Sequence, residues 1–122
     1  IERVIRNLVV NAIEHADGTP VTITLATTET DVACRVRDRG VGMTQEVADH
    51  VFDRFYRADT ARARTTGGTG LGLAIATEDV AIHGGRLQAY GEPGRGASFL
   101  MTLPKKAGED IVSRPLALWE NE

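Results

Sequence analysis

From Ile1 to Ala16 the apolar residues Ile5, Leu8, Val9, Ala12, Ile13 and Ala16 recur at spacings of three and four, which predicts a helix with one apolar face. Asp17-Gly18-Thr19-Pro20 stops it with turn chemistry. Period two then takes over. Val21, Ile23 and Leu25 alternate with threonines, and Val32, Cys34 and Val36 alternate with Ala33, Arg35 and Arg37, so two strands are expected about a turn at Glu29 to Asp31. A glycine-punctuated loop, Asp38-Arg39-Gly40-Val41-Gly42, leads to Thr44, the expected cap of a short helix reaching about Phe52. Residues 53–69 carry several arginines, few large apolar groups and a Gly67-Gly68 pair. They read as a long mobile loop, and such loops inside compact domains usually serve function. Residues 70–83 are helical again, ending at Gly84-Gly85. Residues 86–91 and 96–103 read as two strands joined at Pro93-Gly94.

Strands that neighbour their hairpin partners, with helices between the pairs, predict an α+β chain. It is a two-layer α/β sandwich, with a mixed, mostly antiparallel sheet covered by helices on one face. The 122 residues suit one domain, expected over residues 1–104, followed by an aperiodic C-terminal tail over residues 105–122. Ile1 falls directly inside the helical pattern with no capping residue before it, as expected of an N-terminally truncated fragment. No apolar run approaches the roughly 20 residues that cross a bilayer. A formal charge of −3 and a pI near 5.6 exclude a general nucleic-acid binder, which carries a basic excess. The single cysteine, Cys34, has no internal disulfide partner and reads as a small buried hydrophobe.

Three constellations carry candidate chemistry. Asn7 and Asn11 lie one helical turn apart, with Glu14 and His15 a turn further, on the side opposite Leu8, Ala12 and Ala16. Asparagine competes with helix hydrogen bonds, and its amide oxygen is a hard, neutral ligand suited to Mg²⁺; a solvated polar face is the other reading. Asp38, at a strand end before Gly40 and Gly42, offers a carboxylate that accepts the exocyclic N–H of adenine, where guanine has a carbonyl. An ordinary strand-to-helix turn fits too. Gly68-Thr69-Gly70-Leu71-Gly72 opens a helix, where exposed N–H groups and the positive dipole end favour phosphate. A Walker loop is excluded because Leu73 and Ala74 stand where Lys-Ser/Thr is required, and a dinucleotide fingerprint because Ile75 stands where glycine or alanine is required. Arg54, Arg57, Arg62 and Arg64 precede that loop and suit a basic lid over phosphates. Phe52 and Phe55 read as core anchors at its base.

In this order the segments resemble the catalytic domain of histidine kinases, within the GHKL ATPase superfamily. Asn7 to His15 is similar to the N box, Asp38 to Gly42 to the G1 box, Phe52 to Phe55 to the F box, and Gly68 to Ala74 to the G2 box. The segment from His83 through Pro93-Gly94 to Pro104 is similar to the closing hairpin, and the resemblance covers about residues 1–104. Within the family, Ala76 to Gly96 resembles the actinobacterial MtrB-type sensor kinases. The resemblance implies the Bergerat ATP-binding fold with ATP and Mg²⁺ as cofactors. Asn11 would be the metal ligand, Asn7 would lie near the phosphates, and Asn7, Asn11 and Arg57 would form the catalytic set. Asp38 would hold the adenine amino group, with Gly40 and Gly42 lining its pocket and His15 nearby. Gly68, Thr69, Gly70, Leu71 and Gly72 would hold the phosphates, with Arg57 and Arg54 reaching in from the lid. Glu14 stands where many members carry lysine, and a carboxylate does not neutralise phosphate.

Hydrolytic members of the superfamily place a glutamate at the position of Asn7. An amide accepts no proton at neutral pH, so activation of water by that route is expected to be poor. His15, His50 and His83 are followed by Ala16, Val51 and Gly84, unlike the His-Glu/Asp pattern of the family's phosphoacceptor. The implied partners are therefore a separate dimerisation domain carrying the acceptor histidine, and a response regulator. The fragment would be monomeric, and the full protein a homodimer whose cytoplasmic portion is anchored to the membrane. Two alternatives stay open: a GHKL serine kinase of the anti-sigma-factor type, and a binding module that keeps the fold.

Overall fold

The computed structural model describes residues 2–16, 18–52 and 72–119. The first helix, α1 (Glu2–His15), buries Val4, Leu8 and Ala12 along one stripe. It leaves Val10 and Ile13 about half exposed, at 47% and 60%. Two strands follow, β1 (Val21–Thr27) and β2 (Asp31–Asp38). Thr44 caps α2 (Gln45–His50), its hydroxyl accepting the Val47 N–H at 3.3 Å. The next described element is α3 (Gly72–Ile82), then β3 (Arg86–Glu92) and β4 (Gly96–Pro104). At the end of α3, Gly85 N donates to the Val80 carbonyl and Gly84 N to that of Ala81. Gly84, at φ +76°, supplies the left-handed residue that this Schellman closure requires.

The strands order β1-β2-β4-β3, and all three pairings are antiparallel. Register separates two faces. Val36 opposes Phe99, which opposes Ala89; Cys34 opposes Met101, which opposes Leu87. These rows meet Leu8, Ala12, Ala76 and Val80 in the core beneath α1 and α3. Burial raises the Cys34 thiol above its ordinary pKa, which suits the inert packing role read from its position. Phe52 meets Phe99 edge-to-face at 6.0 Å, the anchoring role expected of it, while Phe55 lies outside the described residues. Arg3 pairs with Asp79 at 3.0 Å, which pins the first turn of α1 beside the later half of α3.

The alternation of β1 puts its apolar residues on one face but does not bury them. Ile23 and Leu25 share the helix-side face with Val36 and Cys34 yet are 49% and 69% exposed. β1 is the outermost strand of the described sheet, so its apolar side has a neighbour on one flank only. Strand periodicity reports the face a residue shares, not whether anything covers that face.

The sequence left open whether the stretch from Arg114 to Trp119 docks. It does, on the face away from the helices. Asp31 Oδ2 accepts the N–H groups of Val112 (3.1 Å) and Ser113 (2.7 Å) and the Ser113 hydroxyl (2.6 Å). Arg35 donates to the Ala117 carbonyl and the Ser98 hydroxyl to that of Leu118. The Arg37 guanidinium lies 3.8 Å from the centre of the Trp119 ring, which also meets Tyr90 edge-to-face at 5.0 Å.

Candidate functional site

Asp38 closes β2 on the helix side of the sheet and is 1% exposed. Its Oδ1 accepts two backbone N–H groups, from Gly40 at 3.0 Å and from Ala97 at 3.3 Å. No described residue donates to its Oδ2. One oxygen thus fixes the carboxylate in place, and the other keeps its acceptor capacity for something else. The undonated Oδ2 is not sealed from its surroundings, so this arrangement suits a site whose donor arrives with a ligand.

The loop after Asp38 is held by close backbone approaches. A Cβ at Gly40 would overlap the His15 carbonyl and come within 2.8 Å of the Ala16 Cα. The loop therefore lies directly against the end of α1, which no residue larger than glycine would permit. Gly42 adopts φ +76°, and a Cβ there would overlap the Glu92 carbonyl. So Gly40 and Gly42 wedge the Asp38 loop between the end of α1 and the β3–β4 turn. That placement sets the Asp38 loop against the last turn of α1.

On α1, Asn7, Asn11 and His15 are half-buried and Glu14 is exposed. Asn7, Glu14 and His15 each engage a partner. The Asn11 amide has no hydrogen-bond partner among the described residues, so its oxygen is available as a ligand. Among the described residues no group of three or more His, Cys, Asp or Glu is placed to hold a metal. Any cation here would take its remaining ligands from water and a bound anion, the habit of Mg²⁺. Gly72 is the first residue of α3. Arg54, Arg57, Arg62, Arg64, Gly68, Thr69, Gly70 and Leu71 lie outside the described residues.

Sequence reasoning missed Ala97, whose backbone N–H ties β4 to Asp38. A main-chain donor has no residue signature, so only the register of β2 against β4 reveals it. It also missed Asp31 as the anchor of the tail. Ser113 and Thr30 bracket it in space, but residues 31 and 113 are too far apart in the chain to read as a pair.

A family profile described as the histidine kinase-, DNA gyrase B-, and HSP90-like ATPase matches residues 1–107. The chain belongs to that ATPase family. It is 51% identical over 118 residues to the sensor histidine kinase MtrB of Mycobacterium tuberculosis, spanning 97% of this chain and 21% of that protein. It is 43% identical over 105 residues to the signal transduction histidine-protein kinase AfsQ2 of Streptomyces coelicolor, across 86% of this chain and 19% of that one. Among solved structures, the mycobacterial sensor histidine kinase MprB aligns with a TM-score of 0.72 at 27% identity, over 86% of this chain and 70% of that chain. Full-length ShkA in complex with AMPPNP aligns with a TM-score of 0.71 at 28% identity, over 87% and 22%. The chain spans about a fifth of the length of the curated relatives it matches. The expected two-layer sandwich and the resemblance to MtrB-type kinases both hold. No described helix is long and apolar enough to cross a membrane.

Proposed function

We propose that this chain is the ATP-binding catalytic domain of a sensor histidine kinase. It binds Mg-ATP and supplies the γ-phosphoryl group to a histidine on a separate dimerisation domain, for onward passage to a response regulator. The observation that carries the reading is Asp38: buried, held through Oδ1 by Gly40 and Ala97, and undonated at Oδ2. The exocyclic amine of adenine donates to such an oxygen, whereas the carbonyl of guanine at that position is repelled by it.

The remaining roles follow from chemistry. The unengaged amide oxygen of Asn11 serves as a Mg²⁺ ligand, and the metal when bound offsets phosphate charge. Asn7, an amide, takes no proton from water. That favours transfer to an arriving imidazole over hydrolysis, since phosphoryl transfer rests mainly on positioning and charge stabilisation. Arg54 and Arg57 act as cationic contacts from the lid, and residues 68–72 present backbone donors to the phosphates. AMPPNP, the ligand of ShkA, is a triphosphate analogue of ATP and fits this assignment. The full protein would be a membrane-anchored homodimer, with the acceptor histidine supplied from outside this chain.

Titration calorimetry with Mg-ATP and Mg-GTP tests the base assignment: ATP binds and GTP does not. Equal affinity for the two would remove the role given to Asp38. With radiolabelled ATP this chain alone forms no phosphohistidine. Mixed with the dimerisation domain it yields an acid-labile product there, and an acid-stable phosphoserine would point to the serine-kinase branch instead.

A further inference from the structure

The face of the sheet turned away from the helices carries a cavity that the nucleotide reading does not use. It measures about 340 Å³ and lies between β3, β4 and the docked tail, within the roughly 300–1,000 Å³ range of small-ligand pockets. Its polar lining is Arg86 and Gln88 from β3, Thr102 from β4 and Arg114 from the tail. Among the described residues no carboxylate lines it. Neither the Arg86 nor the Arg114 side chain has an ion-pair or hydrogen-bond partner among the described residues. Thr102 is 2% exposed, lines the cavity, and its hydroxyl has no hydrogen-bond partner.

The surroundings are as informative as the cavity. Beside it, Asp31 gathers donors from Thr30, Val112 and Ser113, and Ser98 donates to Leu118. These groups find their partners within the chain, while, among the described residues, Asp31 Oδ1 and Trp119 Nε1 on the same face are buried without one. Two arginines, one amide and one hydroxyl line the same space. Paired guanidiniums are matched to the two oxygens of a carboxylate or phosphate. The rest of the wall is apolar, chiefly Leu100 and Leu116.

We propose that this cavity binds a small organic anion, its oxyanion head held by Arg86 and Arg114 with Thr102 contributing a hydrogen bond, and its short apolar body resting on Leu100 and Leu116. Half of the site comes from the tail, so the ligand is recognised only while the tail is docked. The inference is independent of the nucleotide assignment, which concerns the other face.

Amide chemical shifts of this chain, followed while benzoate, phenyl phosphate or inorganic phosphate is added, locate and classify the ligand. Shifts at Gln88, Thr102 and Leu116 should saturate with benzoate or phenyl phosphate, and whichever binds more tightly identifies the head group. Inorganic phosphate, with no apolar body, should bind about tenfold more weakly or worse. Arg86→Gln and Arg114→Gln should each weaken binding about tenfold or more. Thr102→Val, which keeps the wall's shape, should weaken it less, and Lys105→Gln should not alter it. Each variant's spectrum away from the site must overlay the parent's. Shifts that stay linear throughout, that fall only at Gly40 to Gly42, or that survive both arginine substitutions would overturn the proposal.

Discussion

β2 begins and ends with a buried aspartate. Asp31 is 0% and Asp38 1% exposed, and the odd separation of seven residues turns them to opposite faces of the sheet. Asp31 draws four donors onto Oδ2, from the Thr30 hydroxyl, Val112 N, Ser113 N and the Ser113 hydroxyl. All come from its own chain, and they fasten residues 112–113 in place. Asp38 uses Oδ1 for two backbone donors and leaves Oδ2 undonated. One carboxylate is spent on folding, and the other is braced by folding for a ligand. Among the described residues each aspartate leaves one oxygen undonated, and what separates the two roles is that Asp31 Oδ1 is sealed from solvent whereas Asp38 Oδ2 is not.

That contrast makes its largest demand at Asp38. Asp38→Asn keeps an oxygen for Gly40 and Ala97 but turns an N–H toward the adenine amine. The lost charge-assisted hydrogen bond is worth about 1.5–3 kcal/mol, roughly 10–150-fold in ATP affinity. Calorimetry on the variant, with its unliganded melting temperature unchanged, checks this. Unaltered affinity would return Asp38 to the same structural class as Asp31. Gly40→Ala acts on the same loop by packing, because its methyl would overlap the His15 carbonyl. It should cost about 1–3 kcal/mol of stability and weaken ATP binding as the loop leaves α1. A variant that melts and binds like the parent would show that the wedge is not needed.

Much of this was legible in the sequence, for identifiable reasons. The spacing of Leu8 and Ala12, the cap at Thr44 and the stop at Gly84-Gly85 are local signals, and each element appears where its local chemistry places it. Asp38, Gly40 and Gly42 were readable as a group because all lie within five residues. What escaped was non-local. Ala97 reaches Asp38 through strand register. The tail reaches Asp31 across 82 residues of chain, and periodicity carries no information about either. The exposure of Ile23 and Leu25 was not legible for a related reason, since alternation does not say that β1 sits at an edge. The profile of the ATPase family also ends at residue 107, whereas 118 of the 122 residues align with MtrB, so most of the tail is shared with that relative.

On the far face the expected effects fall on stability, with binding untouched. Trp119→Leu removes the stack with Arg37 and the edge contact with Tyr90, together worth about 1–3 kcal/mol. Thermal denaturation by circular dichroism should show that loss. ATP affinity should stay within about twofold, because distant sites act independently. A large drop in ATP affinity would mean that the two faces are coupled through the sheet.

The smallest effect is confined to acid. The hydrogen bond from the Ser113 hydroxyl, with further help from Thr30 and the Val112 and Ser113 N–H groups, outweighs burial and holds the Asp31 carboxyl below its ordinary pKa. A folded value below the unfolded one means that the carboxylate's contribution is complete above the unfolded pKa of about 3.9. It is lost as pH falls through the lower, folded value. Trp119 is the only tryptophan, so its emission reports whether the tail is docked. Emission should be flat from neutral pH down to the ordinary carboxylate range and change only below it, as protonated Asp31 stops accepting the Ser113 donors. In Asp31→Asn, which has no charge to lose, the tail should already be loosened at neutral pH and the acid transition should disappear. An identical acid transition in that variant would assign it to another group and leave Asp31 an ordinary buried residue, with no hold on the tail.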